Sequence, residues 1–359
     1  MPVNFTPGPS QLYFTVEGHA RKAFREGVPS LSHRSAAFEK IYSHATEGLK
    51  ALLQIPAGFQ ILFAASATEI WERSIQNLVA ESSLHFVNGS FSKRYFEIAT
   101  QLGKHALKTE VPAGQGFAGY TPVGSPELIA LTHNETSTGV ALPLDFIHAF
   151  RNHHPEALVV VDAVSSLPYP KFDFDKIDSL FFSVQKAFGL PAGLGVWIVN
   201  EKCIARAEHL QSKGIPIGTY HNLPTLVANA KKNQTPETPN VLSIYLLAQV
   251  VEDFNKKGVE AIRKETDYKA ALLYHTLQKH PIVKPFVTEA RVQSQTVLVA
   301  HTGTATEEIS KFLIRHGLQP GDGYGENKKT QLRFANFPTH SKETYELLVD
   351  LLEKYEPAN

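Results

Sequence analysis

The fold class of this 359-residue chain is decided by Ala157-Leu-Val-Val-Val-Asp162 and by Asp178-Ser-Leu-Phe-Phe-Ser-Val-Gln-Lys186. Both runs are too apolar to have a face in water and are rich in valine or phenylalanine. This composition is typical of strands buried on both faces of a parallel sheet. Strand-like and helix-like segments alternate from residue 50 to residue 200. The pattern predicts an α/β protein with a large, mostly parallel sheet covered by helices on both faces.

Each of the two runs ends in a charged residue, Asp162 in the first and Lys186 in the second. Open α/β sheets bind ligands at the carboxyl ends of their strands. Alone, such an aspartate is often a helix cap and such a lysine often lies at the surface. Pyridoxal phosphate, however, needs a lysine for its Schiff base and an acid beside its pyridine nitrogen. The pair therefore indicates a pyridoxal phosphate site with Lys186 and Asp162 as catalytic residues.

A second candidate segment is Ser66-Ala67-Thr68, between a predicted strand and a helix expected over 68–81. Ser66 and Glu69 have the spacing of a capping box, which marks a helix start. A helix N-terminus presents free backbone N–H groups that can hold a phosphate. An ordinary capped helix is the competing interpretation.

Two more strand ends carry candidate groups. Phe91 lies in Asn88-Gly-Ser-Phe-Ser-Lys-Arg94, where its ring either stacks on a cofactor or closes the turn, and a helix is expected over 93–102. Thr132 to Gly139 is a polar stretch whose hydroxyl and amide groups suit hydrogen bonds to a cofactor or substrate. Local turn hydrogen bonds would explain the same residues.

The chain changes character after Asn200. Residues 214–240 contain four prolines with several Thr, Asn and Gly, which predicts a long loop. An amphipathic helix is expected over 240–257, ended by Gly258. The predicted divisions are an N-terminal arm at 1–14, a large cofactor-binding domain at 15–250 and a small α+β domain at 251–359, with a closing helix near 341–355.

Composition excludes several classes of function. Lys+Arg and Asp+Glu are both 35, so no net charge attracts nucleic acid or an anionic membrane. The single cysteine, Cys203, excludes an internal disulfide and a thiolate metal cluster, and no metal site is expected. No secretory signal is seen, and no apolar run approaches the ~20 residues that cross a bilayer. We expect a cytoplasmic protein.

Six motifs occur between residues 4 and 186: Asn4-Phe-Thr-Pro-Gly-Pro9, Ser32-His-Arg-Ser35, Gly89-Ser-Phe-Ser-Lys-Arg94, Asn134-Glu-Thr136, Val161-Asp-Ala-Val-Ser-Ser166 and Gln185-Lys186. Together they resemble the class V, fold-type I aminotransferases, and most closely the phosphoserine aminotransferase family. The resemblance implies that Lys186 forms the Schiff base and moves a proton at the substrate Cα. Asp162 would pair with the ring nitrogen, and Phe91 would stack on the ring. Thr136 and Gln185 would lie near its phenolic oxygen.

The resemblance also implies how phosphate and substrate are held. Thr238 would reach the cofactor phosphate from a second subunit, so a homodimer with shared active sites is expected. Arg333 would grip the substrate carboxylate with its planar fork. His33 and Arg34, from the partner chain, would bind the substrate's phosphate. The cofactor phosphate itself would lie on Ser66, Ala67 and Thr68.

The amino donor and the reaction class have alternatives. The family's Gly-His-Arg-Ser motif is replaced by Gly321-Asp-Gly-Tyr-Gly-Glu-Asn-Lys-Lys-Thr330, and Thr136-Ser-Thr-Gly139 resembles the alanine– and serine–glyoxylate branch. Phosphoserine with 2-oxoglutarate, in serine biosynthesis, is the main interpretation, and a small unphosphorylated amino acid is the runner-up. A cysteine desulfurase would need a mobile catalytic cysteine, whereas Cys203 follows soon after a predicted strand. A catalytically silent relative would not be expected to keep Lys186, Asp162 and Arg333 together.

Overall fold

The computed structural model describes residues 2–120 and 124–356. Its largest sheet has seven strands, which we label in chain order. They are β1 (Gln60–Ala64), β2 (Ser82–Val87), β3 (His105–Glu110), β4 (Leu128–Thr132), β5 (Leu158–Asp162), β6 (Ser179–Ser183) and β7 (Gly195–Val199).

The order of these strands across the sheet is β1-β7-β6-β5-β4-β2-β3. Strand β7 is antiparallel to both of its neighbours, and the remaining pairs are parallel. The predicted mostly parallel sheet is therefore confirmed. Strands β4, β5 and β6 are buried along their whole length. Thr132 lies opposite Asp162, and Asp162 opposite Phe181, so these strand ends meet at one edge of the sheet.

Helices surround this sheet and continue into the C-terminal part. Their bounds are Val16–Arg25, Ala36–Leu53, Ala67–Leu78, Ser90–Gln101, Leu144–His153, Glu201–Ser212, Leu223–Ala230, Val241–Lys257, Val259–Lys279, Thr306–Arg315 and Lys342–Glu353. None of the helices within the described residues has the length and apolar character needed to cross a membrane.

Two helix bounds differ from the prediction. The first helix after β1 spans Ala67–Leu78 rather than 68–81. It ends early because the Glu127 carboxylate accepts hydrogen bonds from the amides of residues 80–82, which lead into β2. The second spans Ser90–Gln101 rather than 93–102. Its first turn begins early because the Glu135 carboxylate accepts hydrogen bonds from the Phe91 and Ser92 amides.

The prediction of an unbroken loop over 214–240 was wrong, because a helix spans Leu223–Ala230. The Asn222 side chain caps it by accepting from the Thr225 amide at 2.9 Å. Pro224 lies in its first turn, where the missing N–H costs nothing. The following helix, Val241–Lys257, does end at Gly258, whose φ of 85° favours glycine.

A second sheet occupies the C-terminal part. It is antiparallel and contains Lys284–Pro285, Val297–His301, Gln331–Ala335 and Gly321–Asp322 in that order. Its core is separate from that of the large sheet.

The domain divisions remain a proposal. The predicted boundary at 250 falls inside the helix Val241–Lys257, and Val251 and Phe254 of that helix pack in the core of the large sheet. We therefore propose to move the boundary to Gly258.

Candidate active site

Lys186 and Asp162 lie side by side at the carboxyl edge of the large sheet. Asp162 ends β5 and Lys186 follows β6, and their side chains are only 3% and 7% exposed. Burial raises the pKa of the Asp162 carboxyl, although hydrogen bonds and Lys186 oppose the shift. Burial likewise lowers the pKa of the Lys186 amine, against the opposing effect of Asp162. A less basic amine is a better nucleophile at neutral pH.

Two N–H groups fix the Asp162 carboxylate. The Trp71 indole Nε1 donates to Oδ2 at 2.8 Å, and the Val164 amide donates to Oδ1 at 2.9 Å. Both donors favour the ionised carboxylate over its neutral form. Asp162 is thus held as an anion in a buried place, which suits an acid that pairs with a protonated ring nitrogen.

A chain of hydrogen bonds leads away from the lysine. Lys186 Nζ donates to Thr136 Oγ1 at 3.0 Å, and Thr136 Oγ1 donates to Ser165 Oγ at 2.8 Å. Ser165 Oγ then donates to the Asn134 carbonyl at 3.0 Å. The chain fixes the direction of the Lys186 amine and places the Thr136 hydroxyl next to it.

Phe91 lies beside the lysine. Its ring centroid is 5.2 Å from Lys186 Nζ, and it packs at a tilt against Trp71 and Tyr324. The amide of Phe91 is held by the Glu135 carboxylate at 3.3 Å. An aromatic face is therefore available to a planar ring bound between Phe91 and Asp162.

The Ser66-Ala67-Thr68 turn forms the start of a helix at the end of β1. Ser66 caps the helix by accepting from the Glu69 amide at 3.1 Å, while Ser183 Oγ accepts from the Ala67 amide at 2.9 Å. The predicted capping box is only half formed, because the Glu69 carboxylate accepts from the Ala65 amide instead of the Ser66 amide. The exposed Thr68, whose amide lies between these two occupied amides, suits a phosphate group through its N–H and its hydroxyl.

Arg333 reaches the same space from the second sheet. Its Nε donates to the Asp322 carbonyl at 2.6 Å and its Nη1 to the Thr136 carbonyl at 3.2 Å. Within the described part of the chain, its Nη2 makes no hydrogen bond. The guanidinium also lies over the Tyr324 ring, 5.4 Å from the centroid. These contacts orient the fork while leaving one edge for a carboxylate.

The N-terminal arm, which the sequence could not place, crosses the site. Val3–Asn4 pairs with Leu318–Gln319, and the Ser10 amide donates to the Gln185 carbonyl at 2.9 Å. A Cβ on Gly8 would lie 3.0 Å from Lys186 Cε, and the φ of Gly8 is 151°. Glycine is therefore required where the arm passes over the lysine.

Three predicted residues lie away from this centre within the chain. Arg34 donates to Gln234 Oε1 at 2.8 Å and to the Pro236 carbonyl at 3.2 Å, and His33 is next to it. Thr238 is exposed two residues beyond Pro236. His33, Arg34 and Thr238 thus belong to one surface region, and none of them contacts Lys186 within the described chain. Gln185 is half-buried beside Lys186, and its side chain makes no hydrogen bond within the same residues.

Sequence reasoning missed Trp71, Ser165 and Tyr324. The spacing of Trp71 with Ile75 and Leu78 is that of an apolar helix face, and nothing in that periodicity reveals that the indole N–H meets Asp162. Ser165 follows Asp162 closely, so its place at the strand end was the available signal. Tyr324 lies between two glycines in the segment that departs from the family motif, but its contacts with Arg333 and Phe91 join distant parts of the chain.

The residues present fit pyridoxal phosphate. The chain places a buried amine, a buried and hydrogen-bonded carboxylate, an aromatic face and a helix N-terminus around one space. Lys186 would hold the aldehyde carbon, Asp162 the ring nitrogen and the 66–68 turn the phosphate. Each of these groups matches one functional part of the cofactor.

Replacement of Trp71 tests the arrangement around Asp162. Trp71→Phe removes the indole N–H, so we expect cofactor affinity to fall about 10-fold or more, since a hydrogen bond to a charged group contributes ~1.5–3 kcal/mol. The pKa of Asp162 should also rise, because one donor to its carboxylate is lost. On acidification, the variant should therefore begin to lose cofactor affinity at a higher pH than the wild type does. The measurement is the cofactor dissociation constant from pH 5 to 8.

Trp197→Phe is the matched control. It removes an indole hydrogen bond of the same length, 2.8 Å to Ser179 Oγ, from the same sheet but away from Asp162. An equal loss of cofactor affinity in both variants would show that Trp71 acts only through general stability.

Comparison with known proteins identifies the family of the chain. The sequence pattern of the family described as Aminotransferase class-V matches residues 124–323, more than half of the chain. A phosphoserine aminotransferase of Rhodococcus opacus (strain B4) is 29% identical over 336 residues, which are 92% of this chain and 87% of that protein.

Solved structures are also similar. The crystal structure of a phosphoserine aminotransferase from Cytophaga hutchinsonii ATCC 33406 is 49% identical, covers 99% of each chain and superposes with a TM-score of 0.97. An aspartate aminotransferase of Thermus thermophilus, 22% identical, superposes over 98% of this chain and 99% of its own with a TM-score of 0.80. The second likeness shows the fold alone.

Proposed function

Because the chain belongs to the class-V aminotransferase family, we propose that it transfers the amino group of phosphoserine to 2-oxoglutarate. It is a transaminase, and its cofactor is pyridoxal phosphate. The observation that carries the substrate assignment is the 49% identity over 99% of the chain to the Cytophaga hutchinsonii phosphoserine aminotransferase. The reaction would belong to serine biosynthesis, and the enzyme would act in the cytoplasm.

The proposed mechanism assigns one task to each buried group. When bound, the cofactor accepts the negative charge that develops at the substrate Cα. Lys186 would take the proton from the substrate Cα and carry it on its amine, which the Thr136 hydroxyl orients from 3.0 Å away. Asp162 keeps the ring nitrogen protonated. Arg333 holds the substrate carboxylate through the edge that Asp322 and Thr136 leave open.

The same proposal includes a homodimer with shared active sites. His33, Arg34 and Thr238 lie on one surface away from Lys186, so they would serve the partner's site. The N-terminal arm and the helix that follows it also expose large apolar side chains, namely Leu12 at 46%, Phe14 at 82% and Phe24 at 65%. Such exposure on one segment is typical of a surface that another chain covers.

The substrate is tested by a half-reaction. The loaded enzyme is mixed with O-phosphoserine, serine or alanine, and loss of the absorbance of the Lys186-bound cofactor is followed. We expect O-phosphoserine to react at the lowest concentration. Arg34→Ala should weaken O-phosphoserine about 10-fold or more and leave serine unchanged, since a charge-assisted contact contributes ~1.5–3 kcal/mol.

Arg94→Ala, which alters an exposed arginine on the helix Ser90–Gln101, is the control. If serine or alanine reacts in preference to O-phosphoserine, the substrate assignment is wrong. The alternative of a glyoxylate-type enzyme is not favoured, because the curated relative from Rhodococcus opacus and the 49% identical Cytophaga hutchinsonii structure are both phosphoserine aminotransferases.

A further inference from the structure

One charged cluster outside the catalytic centre has no role in the mechanism above. The His221 ring lies between two carboxylates. Its Nδ1 is hydrogen-bonded to Glu69, and its Nε2 lies 3.2 Å from Glu237 Oε2 in the geometry of an ion pair rather than a hydrogen bond. His221 is 7% exposed, and Arg73 Nε lies 3.6 Å from Glu69 Oε1.

This cluster adjoins the turn that would hold the cofactor phosphate. The Glu69 carboxylate accepts from the Ala65 amide at 2.9 Å, immediately before Ser66. A cavity of about 420 Å³ is lined by Ala65, Glu69, His221, Glu237 and Thr238 together. The cluster therefore joins the start of the helix Ala67–Leu78 to the segment that carries Thr238.

A carboxylate in this place opposes phosphate binding. A helix N-terminus favours an anion, but Glu69 already places one negative charge beside it. Glu69 and Glu237 carry two negative charges, and Arg73 supplies one positive charge. The group is neutral only when His221 is an imidazolium. Burial alone would lower the pKa of His221, but its contacts with Glu237 and Glu69 raise it to about 9.

We propose that His221 is a positioning residue for the cofactor phosphate, which neutralises Glu69 at the edge of the 66–68 turn and holds Glu237 against it. This inference depends on the proposed placement of the phosphate and not on the choice of amino donor. It predicts that His221 affects the phosphate-bearing cofactor selectively.

The test compares two probes on the apoenzyme. Dissociation constants are measured for pyridoxal phosphate and for pyridoxal, which lacks the phosphate. His221→Gln should weaken pyridoxal phosphate about 10-fold or more and leave pyridoxal within about 2-fold, because a single uncompensated charge acts on the phosphate. In Glu69→Gln/His221→Gln, both charges are gone and the affinity for pyridoxal phosphate should return.

His19→Gln is the matched control, because it removes another histidine that is hydrogen-bonded to a carboxylate, His19 Nε2 to Asp253 Oδ2 at 2.8 Å, elsewhere in the chain. Glu69→Gln alone gives an independent result should His221→Gln not fold, and it should bind pyridoxal phosphate at least as tightly as the wild type. An equal loss for both probes, no recovery in the double variant, or weaker binding by Glu69→Gln would overturn the proposal. None of these assays uses an amino donor, so an error in the substrate assignment would leave their results unchanged.

Discussion

Lys186→Ala should abolish transamination, with a loss of at least about 10²–10⁴-fold in the rate of the half-reaction. Lys186 is the buried amine that would both hold the cofactor and move the substrate proton. The variant should still bind pyridoxal phosphate, though without a covalent link. Borohydride reduction should therefore fix the cofactor covalently to Lys186 in the wild type alone. Mass spectrometry of the peptides would detect this attachment.

Lys186→Arg is the stricter variant, because it keeps a positive charge beside Asp162 but cannot form the Schiff base. We expect it to be as inactive as Lys186→Ala. Turnover retained by either variant, or borohydride labelling of a different lysine, would show that Lys186 is not the catalytic lysine.

Asp162→Asn should reduce the half-reaction by about 10²–10⁴-fold while the apoprotein remains folded. Asparagine keeps the shape of the side chain but cannot stabilise a protonated ring nitrogen by charge. Asparagine also has only one side-chain oxygen, whereas the two carboxylate oxygens of Asp162 each accept one N–H, from Trp71 and from Val164. The measurement is the single-turnover rate with O-phosphoserine. Asp178→Asn changes another buried carboxylate next to the same sheet and should leave that rate nearly unchanged once the protein is folded.

Asp162→Asn should also change how the free energy of unfolding depends on pH. Burial raises the pKa of Asp162 in the folded chain above its unfolded value of about 3.9. Its contribution to stability is therefore present below that unfolded pKa and is lost as the pH rises through the folded pKa. The free energy of unfolding of the wild-type apoprotein should fall relative to Asp162→Asn between pH 4 and 7. Urea unfolding with equal pH dependence in the two proteins would contradict this expectation.

The parts of the site that depend on local patterns could be predicted from the sequence. Asp162 and Lys186 end apolar runs, and such runs form parallel strands whose carboxyl ends meet at one edge. The prediction of a loop over 214–240 was wrong because proline is common both in loops and in the first turn of a helix, where Pro224 lies. The cap at Asn222 was the overlooked signal.

The remaining parts depend on contacts between distant residues. Trp71 and Asp162 are far apart in sequence, and an indole N–H is invisible in a pattern that counts tryptophan as apolar. His221 meets Glu69 only through the packing of one loop on one helix. No periodicity specifies these pairs, because they follow from how complete elements pack.

The N-terminal arm bears on the order in which the enzyme matures as it is synthesised. Val3–Asn4 emerges from the ribosome long before its partner strand Leu318–Gln319 is made. The strand pairing that anchors the arm upstream of Gly8 can form only after that partner has been made. Contacts between such distant residues form late in folding, because a long loop must close first. A nascent chain that ends before residue 318 would thus lack one anchor of the arm that covers Lys186, and we expect it to retain the cofactor less well than a chain made beyond that strand.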